Sequence, residues 1–182
     1  SARHAAPGAA SMHAPLSFHR KLPIKRRWEM AQGNQWRFSV PSLMWLQTGS
    51  CGGDSLALLS AESPSFEQLI SLHGIELLWH PSFSSAPTSH LAQLITDIEA
   101  DRRSLDILCI EGSIVTGPQG TGLFDSWHGR AKSHLVRALA EKAGAVVAVG
   151  TCAAFGGVHA APPNPSDCIG LQFDHAKKGG LL

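Results

Sequence analysis

AVVAVGTCAAFGG, residues 145–157, opens with five apolar side chains, turns at a glycine and then presents a thiol. A half-exposed strand alternates polar with apolar residues, whereas an unbroken apolar run of strand length belongs in a sheet covered on both faces. Such sheets are parallel, and helices supply the cover. The preceding AKSHLVRALAEKAG (131–144) has helical spacing and is closed by glycine. Further back the alternation repeats. LDILCIEG (105–112) reads as a strand and IELLWH (75–80) as another. Between them SHLAQLITDIEADRR (89–103) reads as a helix, with Leu91, Leu94, Ile95 and Ile98 on one face and two arginines suited to its C-terminal end. SFEQLISLHG (65–74) is a helix with Phe66, Leu69, Ile70 and Leu72 inward and Gly74 as C-cap. SLALLSAE (55–62) is a shorter helix that Asp54 or Ser55 is placed to cap, and LMWLQ (43–47) is the first strand. Four strands alternating with helices imply an α/β fold, a doubly wound parallel sheet with helices on both faces. TCAAFGGVHAAPPNPSDCIG (151–170) is expected to be irregular because of its prolines and glycines.

The 182 residues, 43% hydrophobic and 16% charged, suit one globular domain. The net charge of +1 conceals a division: seven of the fifteen Lys and Arg, but one of the fourteen acids, lie in residues 1–40. That segment is rich in Ala, Pro, Ser and His and has no helical or strand period. It is expected to be a basic, poorly ordered N-terminal extension to a domain spanning residues 41–182. Its charge suits a solvated leader, and also an acidic partner or peripheral contact with anionic lipid. Arg26-Arg27 invites a twin-arginine export reading, but WEMAQGNQWRF (28–38) is not the apolar region such a signal needs. No export signal is visible, and a cytoplasmic protein, or one peripheral on the cytoplasmic membrane, is expected. No apolar run is long enough to cross a bilayer. The mildly acidic domain is not expected to bind nucleic acid.

In a doubly wound sheet, ligands sit beyond the carboxyl ends of the strands, near the switch in strand order. Two thiols fall there: Cys51 in SCGGD (50–54) after the first strand, and Cys152 in GTCAAFGG (150–157) after the fourth. Glu111 ends the third strand. Glycine-containing loops leave backbone N–H groups free for sulfide or thiolate and keep large side chains out of the way of an inorganic cluster. Iron-sulfur clusters take four anionic ligands, usually Cys. Asp54, three residues after Cys51, can serve as one, and a harder oxygen donor would alter the reduction potential. The structural alternative is that Cys51 packs and Asp54 caps a helix. Zinc competes, since Cys and Asp both bind it, although only one mixed pair is present. GPQGTG (117–122) lacks the Gly-Lys-Ser/Thr ending and the strand-to-helix setting of a nucleotide loop, while the sheet leaves a flavin site open. Cys109, inside an apolar strand, reads as core packing. Cys168, in PSDCIG (165–170), is a further ligand candidate with nothing local to demand it, and His80 and His159 read as hydrogen-bonding residues. Four cysteines so widely spaced favour a reducing compartment or a metal over disulfides.

WLQTGSCGGDSLALLSAESP (45–64), IELLWHPSFS (75–84), LDILCIEGSIVTGPQGTG (105–122), VVAVGTCAAFGGVHAAPPNPSD (146–167) and GLQFDHAKKGGLL (170–182), in that order, resemble the small subunit of nickel-iron hydrogenases, especially the uptake and sensory types. The resemblance implies a flavodoxin-like domain holding the 4Fe-4S cluster nearest a nickel-iron centre, which is housed in a separate large subunit. In that family a Cys-x-x-Cys follows the first strand, and Cys51 and Asp54 stand at its two positions. Cys152 stands at the Gly-Thr-Cys cysteine and Glu111 at the Glu-Gly after the third strand. A cluster with one Asp among its ligands resembles that of oxygen-insensitive, high-affinity hydrogenases. The family's fourth ligand lies in a Gly-Cys-Pro segment further along. The sequence stops at Leu182 before any such segment, so a fragment or a truncated paralogue is expected, and Cys168 is not at the family's ligand position. The implied function is electron transfer between the partner's nickel-iron centre and an acceptor protein, quinone or cytochrome. No catalytic residue is expected on this chain; Glu111 would orient loop groups or lie on a proton route. Two alternatives stand beside it. One is a flavodoxin-like binding or assembly module without a cluster; the other is the cluster-bearing subunit of respiratory NADH:quinone oxidoreductase, whose adjacent Cys-Cys pair is missing here.

Overall fold

The computed structural model describes residues 18–19, 28–31, 35–38, 40–174 and 177–182. At its centre lie four parallel strands, β1 (Ser42–Gln47), β2 (Glu76–Trp79), β3 (Ile107–Glu111) and β4 (Ala145–Val149). Their order is β4-β3-β1-β2, with Phe18–His19 antiparallel along the outer edge of β4. This is the flavodoxin-like order, and the switch falls between β1 and β3. The helices are α1 (Gly53–Leu59), α2 (Phe66–His73), α3 (Thr88–Glu99), α4 (Lys132–Lys142) and α5 (Gly150–Phe155).

Alternation along the strands divides the core. Met44, Leu46, Leu108, Ile110 and Ala148 pack with Leu91, Leu94, Ile95 and Ile98 of α3 and with Leu135, Val136 and Leu139 of α4. Leu43, Trp45 and Cys109 form a second cluster, joined by Leu58 of α1 and by Val147 and Val149. Both faces are covered, which is why the interior positions of these strands are apolar and polar residues such as Ser42, Gln47, Glu76 and Glu111 stand only at their ends. Each fully buried Leu or Ile contributes about 1.5–3 kcal/mol, so the larger α3–α4 side supplies most of the cohesion.

Register fixes where a ligand can bind. β1 lies beside β3 with Gln47 opposite Glu111, and β3 beside β4 with Glu111 opposite Val149. Three strands therefore end in one row, and the chain leaves the sheet side by side at Thr48, at Gly112 and, directly into α5, at Gly150.

Several local expectations are corrected. α1 begins after Gly52, which is left-handed (φ 75), and has no side-chain cap; Asp54 and Ser55 both lie inside its first turn and neither caps it. Leu72, expected inward, is 74% exposed, because α2 is anchored at its other end by Phe66 against Phe83 and His80. Gly74 does close α2, in left-handed conformation. α3 ends at Glu99, and Arg102 and Arg103 lie beyond it, reaching Asp97 and Glu76. The residue that closes α4 is Ala143, in extended conformation, with Gly144 following it.

Residues 151–155, expected to be irregular, join Gly150 in α5, which ends at left-handed Gly156 and runs into a 3-10 turn over Gly157–Ala160. Six residues carry too few periods to announce a helix. Tertiary contacts hold it: Gly170 lies so close to the Ala154 backbone that a Cβ there would overlap it, and Leu171 N–H donates to Ala153 O (2.7 Å). Within residues 1–40, Trp28–Ala31 and Gln35–Phe38 pair antiparallel. Phe18–His19 pair with β4, and the expectation for residues 1–17, 20–27, 32–34 and 39 lies outside the described residues.

Candidate metal centre

Glu111 organises this end of the sheet. Its fully buried carboxylate accepts from Ser50 Oγ (3.1 Å) and Ser55 N–H (3.2 Å) at Oε1. At Oε2 it accepts from Trp45 Nε1 (3.0 Å), Gln47 Nε2 (3.1 Å) and the Ser55 hydroxyl. Burial works to raise its pKa, but bonds from Ser55, Gln47 and Trp45 and from the Ser55 backbone outweigh it and hold the carboxyl at about 2. Ser50 and Ser55 flank Cys51-Gly52-Gly53-Asp54, so both ends of that loop are tied to the end of β3. Gly52 N–H donates to Ser50 Oγ (2.9 Å), tightening the turn. Gly49 and Ser113 exchange backbone bonds (2.9 and 3.0 Å), which sets the loop beside the one that follows β3.

The three candidate donors each lie over a glycine. A Cβ on Gly53 would come within 3.1 Å of Cys51 Sγ, one on Gly157 within 2.5 Å of Cys152 Sγ, and one on Gly150 would overlap the Asp54 carboxylate. Gly150 precedes Cys152 by two residues, so Asp54 from the β1 loop meets the β4 loop there. Cys51 is exposed, and Asp54 and Cys152 are partly buried. Partial burial raises the Asp54 pKa, and the negative charge of Glu111 adds to the rise.

Among the described residues no three His, Cys, Asp or Glu side chains converge closely enough to share one metal ion. A zinc site of Cys51, Asp54 and Cys152 is therefore not preformed. A cluster takes its protein donors at separate irons, and such donors stand further apart than those of a single ion. Two thiols and a carboxylate spread over three glycines fit that kind of group.

The remaining candidates fall away from the centre. Cys109 packs with Leu43 and Trp45, and burial pushes its thiol up to about 12. Cys168 is buried in a two-residue strand, Cys168–Ile169, against Ile114–Val115, with its backbone clasped by the Asn164 side chain (2.7 and 3.0 Å). Burial raises its pKa against an opposing bond from Ser113, and the charges of Asp125 and Asp167 add to the rise. His159 is exposed, with Nδ1 3.0 Å from Ser113 Oγ. His80 is fully buried among Trp45, Phe66 and Phe83; Nδ1 accepts from Ser82 N–H (3.1 Å), and Nε2 has no hydrogen-bond partner among the described residues. Missing from the sequence reading are the donors Ser50, Ser55, Trp45 and Gln47 and the floor at Gly150. One signal for them existed: an inward Trp needs an acceptor for its N–H, and Glu111 sits two residues beyond Cys109, the residue that Trp45 faces in the register.

Residues 51–179 match the family described as NADH ubiquinone oxidoreductase, 20 Kd subunit. The chain is 33% identical over 136 residues to small subunit 1 of the periplasmic NiFe hydrogenase of Nitratidesulfovibrio vulgaris, covering 72% of this chain and 40% of that protein. It is 30% identical over 132 residues to the hydrogenase-2 small chain of Escherichia coli, covering 72% and 35%. The chain thus spans well under half the length of these curated relatives. The solved structure of a reduced, active form of the Ni-Fe-Se hydrogenase from Desulfomicrobium baculatum matches with a TM-score of 0.62 at 30% identity, over 73% of this chain and 50% of that one. The chain therefore belongs to the NADH ubiquinone oxidoreductase 20 kDa subunit family and is similar, within it, to the small subunits of nickel-iron hydrogenases.

Proposed function

We propose that this chain is the electron-transfer small subunit of a nickel-iron hydrogenase and holds a 4Fe-4S cluster through Cys51, Asp54 and Cys152. The observation that carries the reading is the meeting of Asp54 with the Cys152 loop at Gly150, which joins donors from the first and fourth strands at one end of the sheet. When bound, the cluster supplies one-electron transfer. The chain's own residues hold it. Cys51 and Cys152 serve as thiolates, Asp54 as a harder oxygen donor, and Glu111 keeps the Ser50–Ser55 loop in place. The named relatives are hydrogenase small subunits, which supports a large-subunit partner carrying the nickel-iron centre and the hydrogen chemistry. The electrons pass to an acceptor protein, a quinone or a cytochrome.

The proposal includes the division into a basic extension (1–40) and a cluster domain (41–182). It also places the protein in the cytoplasm or peripherally on the cytoplasmic membrane, where a basic segment meets anionic lipid. Among the described residues no helix is long and apolar enough to cross a membrane.

Iron and acid-labile sulfide in the anaerobically purified chain, alone and coexpressed with a large subunit, test the reading. Equal amounts of iron and sulfide, lost on Cys152→Ala, are expected. Absence of iron from both preparations overturns it in favour of a binding or assembly module.

A further inference from the structure

We infer that Glu111 is a positioning residue that also sets the reduction potential of the group held by Cys51, Asp54 and Cys152, acting as a fixed buried anion tied to the donor loop at both ends. The inference rests on the cluster reading above. Its first support is place. Glu111 ends β3, the middle strand of the row, between Gln47 of β1 and Val149 of β4, and so lies between the two loops that carry the donors.

The second support is the character of its partners. All five bonds come from neutral donors: Ser50, Ser55 through both backbone and side chain, Trp45 and Gln47. Elsewhere the acids Asp97, Glu76, Glu99, Asp125 and Asp101 each pair with an Arg or Lys. Among the described residues Glu111 forms no such pair, although it is the one carboxylate fully out of water. A buried charge is ordinarily paired or neutralised. Here dipoles keep it ionised and leave the charge uncancelled. His80 does not cancel it, because burial favours the neutral imidazole.

The third support is reach. Ser55, whose N–H and hydroxyl both bond the Glu111 carboxylate, adjoins Asp54, and Ser50, bonded to the same carboxylate, adjoins Cys51. Adding an electron at donors beside a fixed negative charge is less favourable than adding it beside a neutral residue, and net charge is one of the determinants of cluster potential. Glu111 therefore lowers the potential.

The test is a potentiometric titration with electron paramagnetic resonance detection, on the anaerobically purified protein in the complex in which it is isolated. Glu111→Gln removes the charge and keeps the shape, and a shift of the midpoint to more positive potential is expected. Trp45→Phe keeps the charge and removes one of the donors that spread it, and a shift to more negative potential is expected. A residue with a merely structural role would not give opposite signs. An unmoved or more negative midpoint in Glu111→Gln overturns the inference. So does an unmoved or more positive midpoint in Trp45→Phe, which decides alone where Glu111→Gln fails to fold or to take up iron. A wild-type protein without iron overturns the cluster reading and this inference with it, whereas iron with unmoved midpoints overturns the role of Glu111 only.

Discussion

His80 and Glu111 are both shut off from water, and both titrate away from their ordinary values in the direction that makes acid unfavourable to the fold. Burial lowers the pKa of His80 below 6.5, against a smaller opposing effect of Glu111. The unfolded chain therefore takes up a proton first, and stability is full above 6.5 and declines as the pH falls through the folded value. Glu111 is held at about 2 against an ordinary 4.5, so its contribution is full above 4.5 and is lost as the pH falls toward 2. That loss is roughly 3 kcal/mol. Urea unfolding from neutral to acid pH is expected to show two successive declines, and His80→Phe to remove the first. Stability that rises on acidification below 6.5 would contradict both assignments. At this scale the places of Glu111 at the end of β3 and of Cys51 just after β1 were legible, because a polar residue that closes an apolar run marks where the strand stops. Ser50 and Ser55 were not, because serine beside glycine and aspartate reads as a turn or a cap, and only the distant Glu111 gives the two hydroxyls their common acceptor.

Helix length governed what could be read at the level of elements. α3, with twelve residues, displays its period three times, and all four side chains expected inward are buried. α2 has eight residues, and the same reasoning placed Leu72 inward although it faces solvent. Which face of so short a helix turns in is decided by its anchor, Phe66, and by partners that come later in the chain. α5 was missed altogether, since its six residues depend on Gly170 and Leu171 for support. The contrast can be measured. Ile98→Ala, at a site 1% exposed, is expected to destabilise by about 2–5 kcal/mol. Leu72→Ala should stay within about 0.5 kcal/mol of wild type. Both are read from the midpoint of urea unfolding at unchanged slope, and equal losses at the two positions would refute the placement of α2.

Across the whole molecule, the parallel sheet was legible because continuous apolar runs such as AVVAVG have few other uses. The common row formed by Gln47, Glu111 and Val149 was not, because register between strands about forty to seventy residues apart leaves no local mark. That row brings the two segments together, with the Asp54 carboxylate against Gly150, two residues before Cys152. The central claim is that Asp54 is a donor to an iron-sulfur cluster and not a helix cap. It is tested most directly by the electron paramagnetic resonance spectrum of the reduced, anaerobically purified protein, with wild type compared with Asp54→Cys. A changed spectrum in Asp54→Cys at undiminished iron content is expected, because a thiolate then replaces an oxygen donor. A spectrum identical to wild type would contradict the claim.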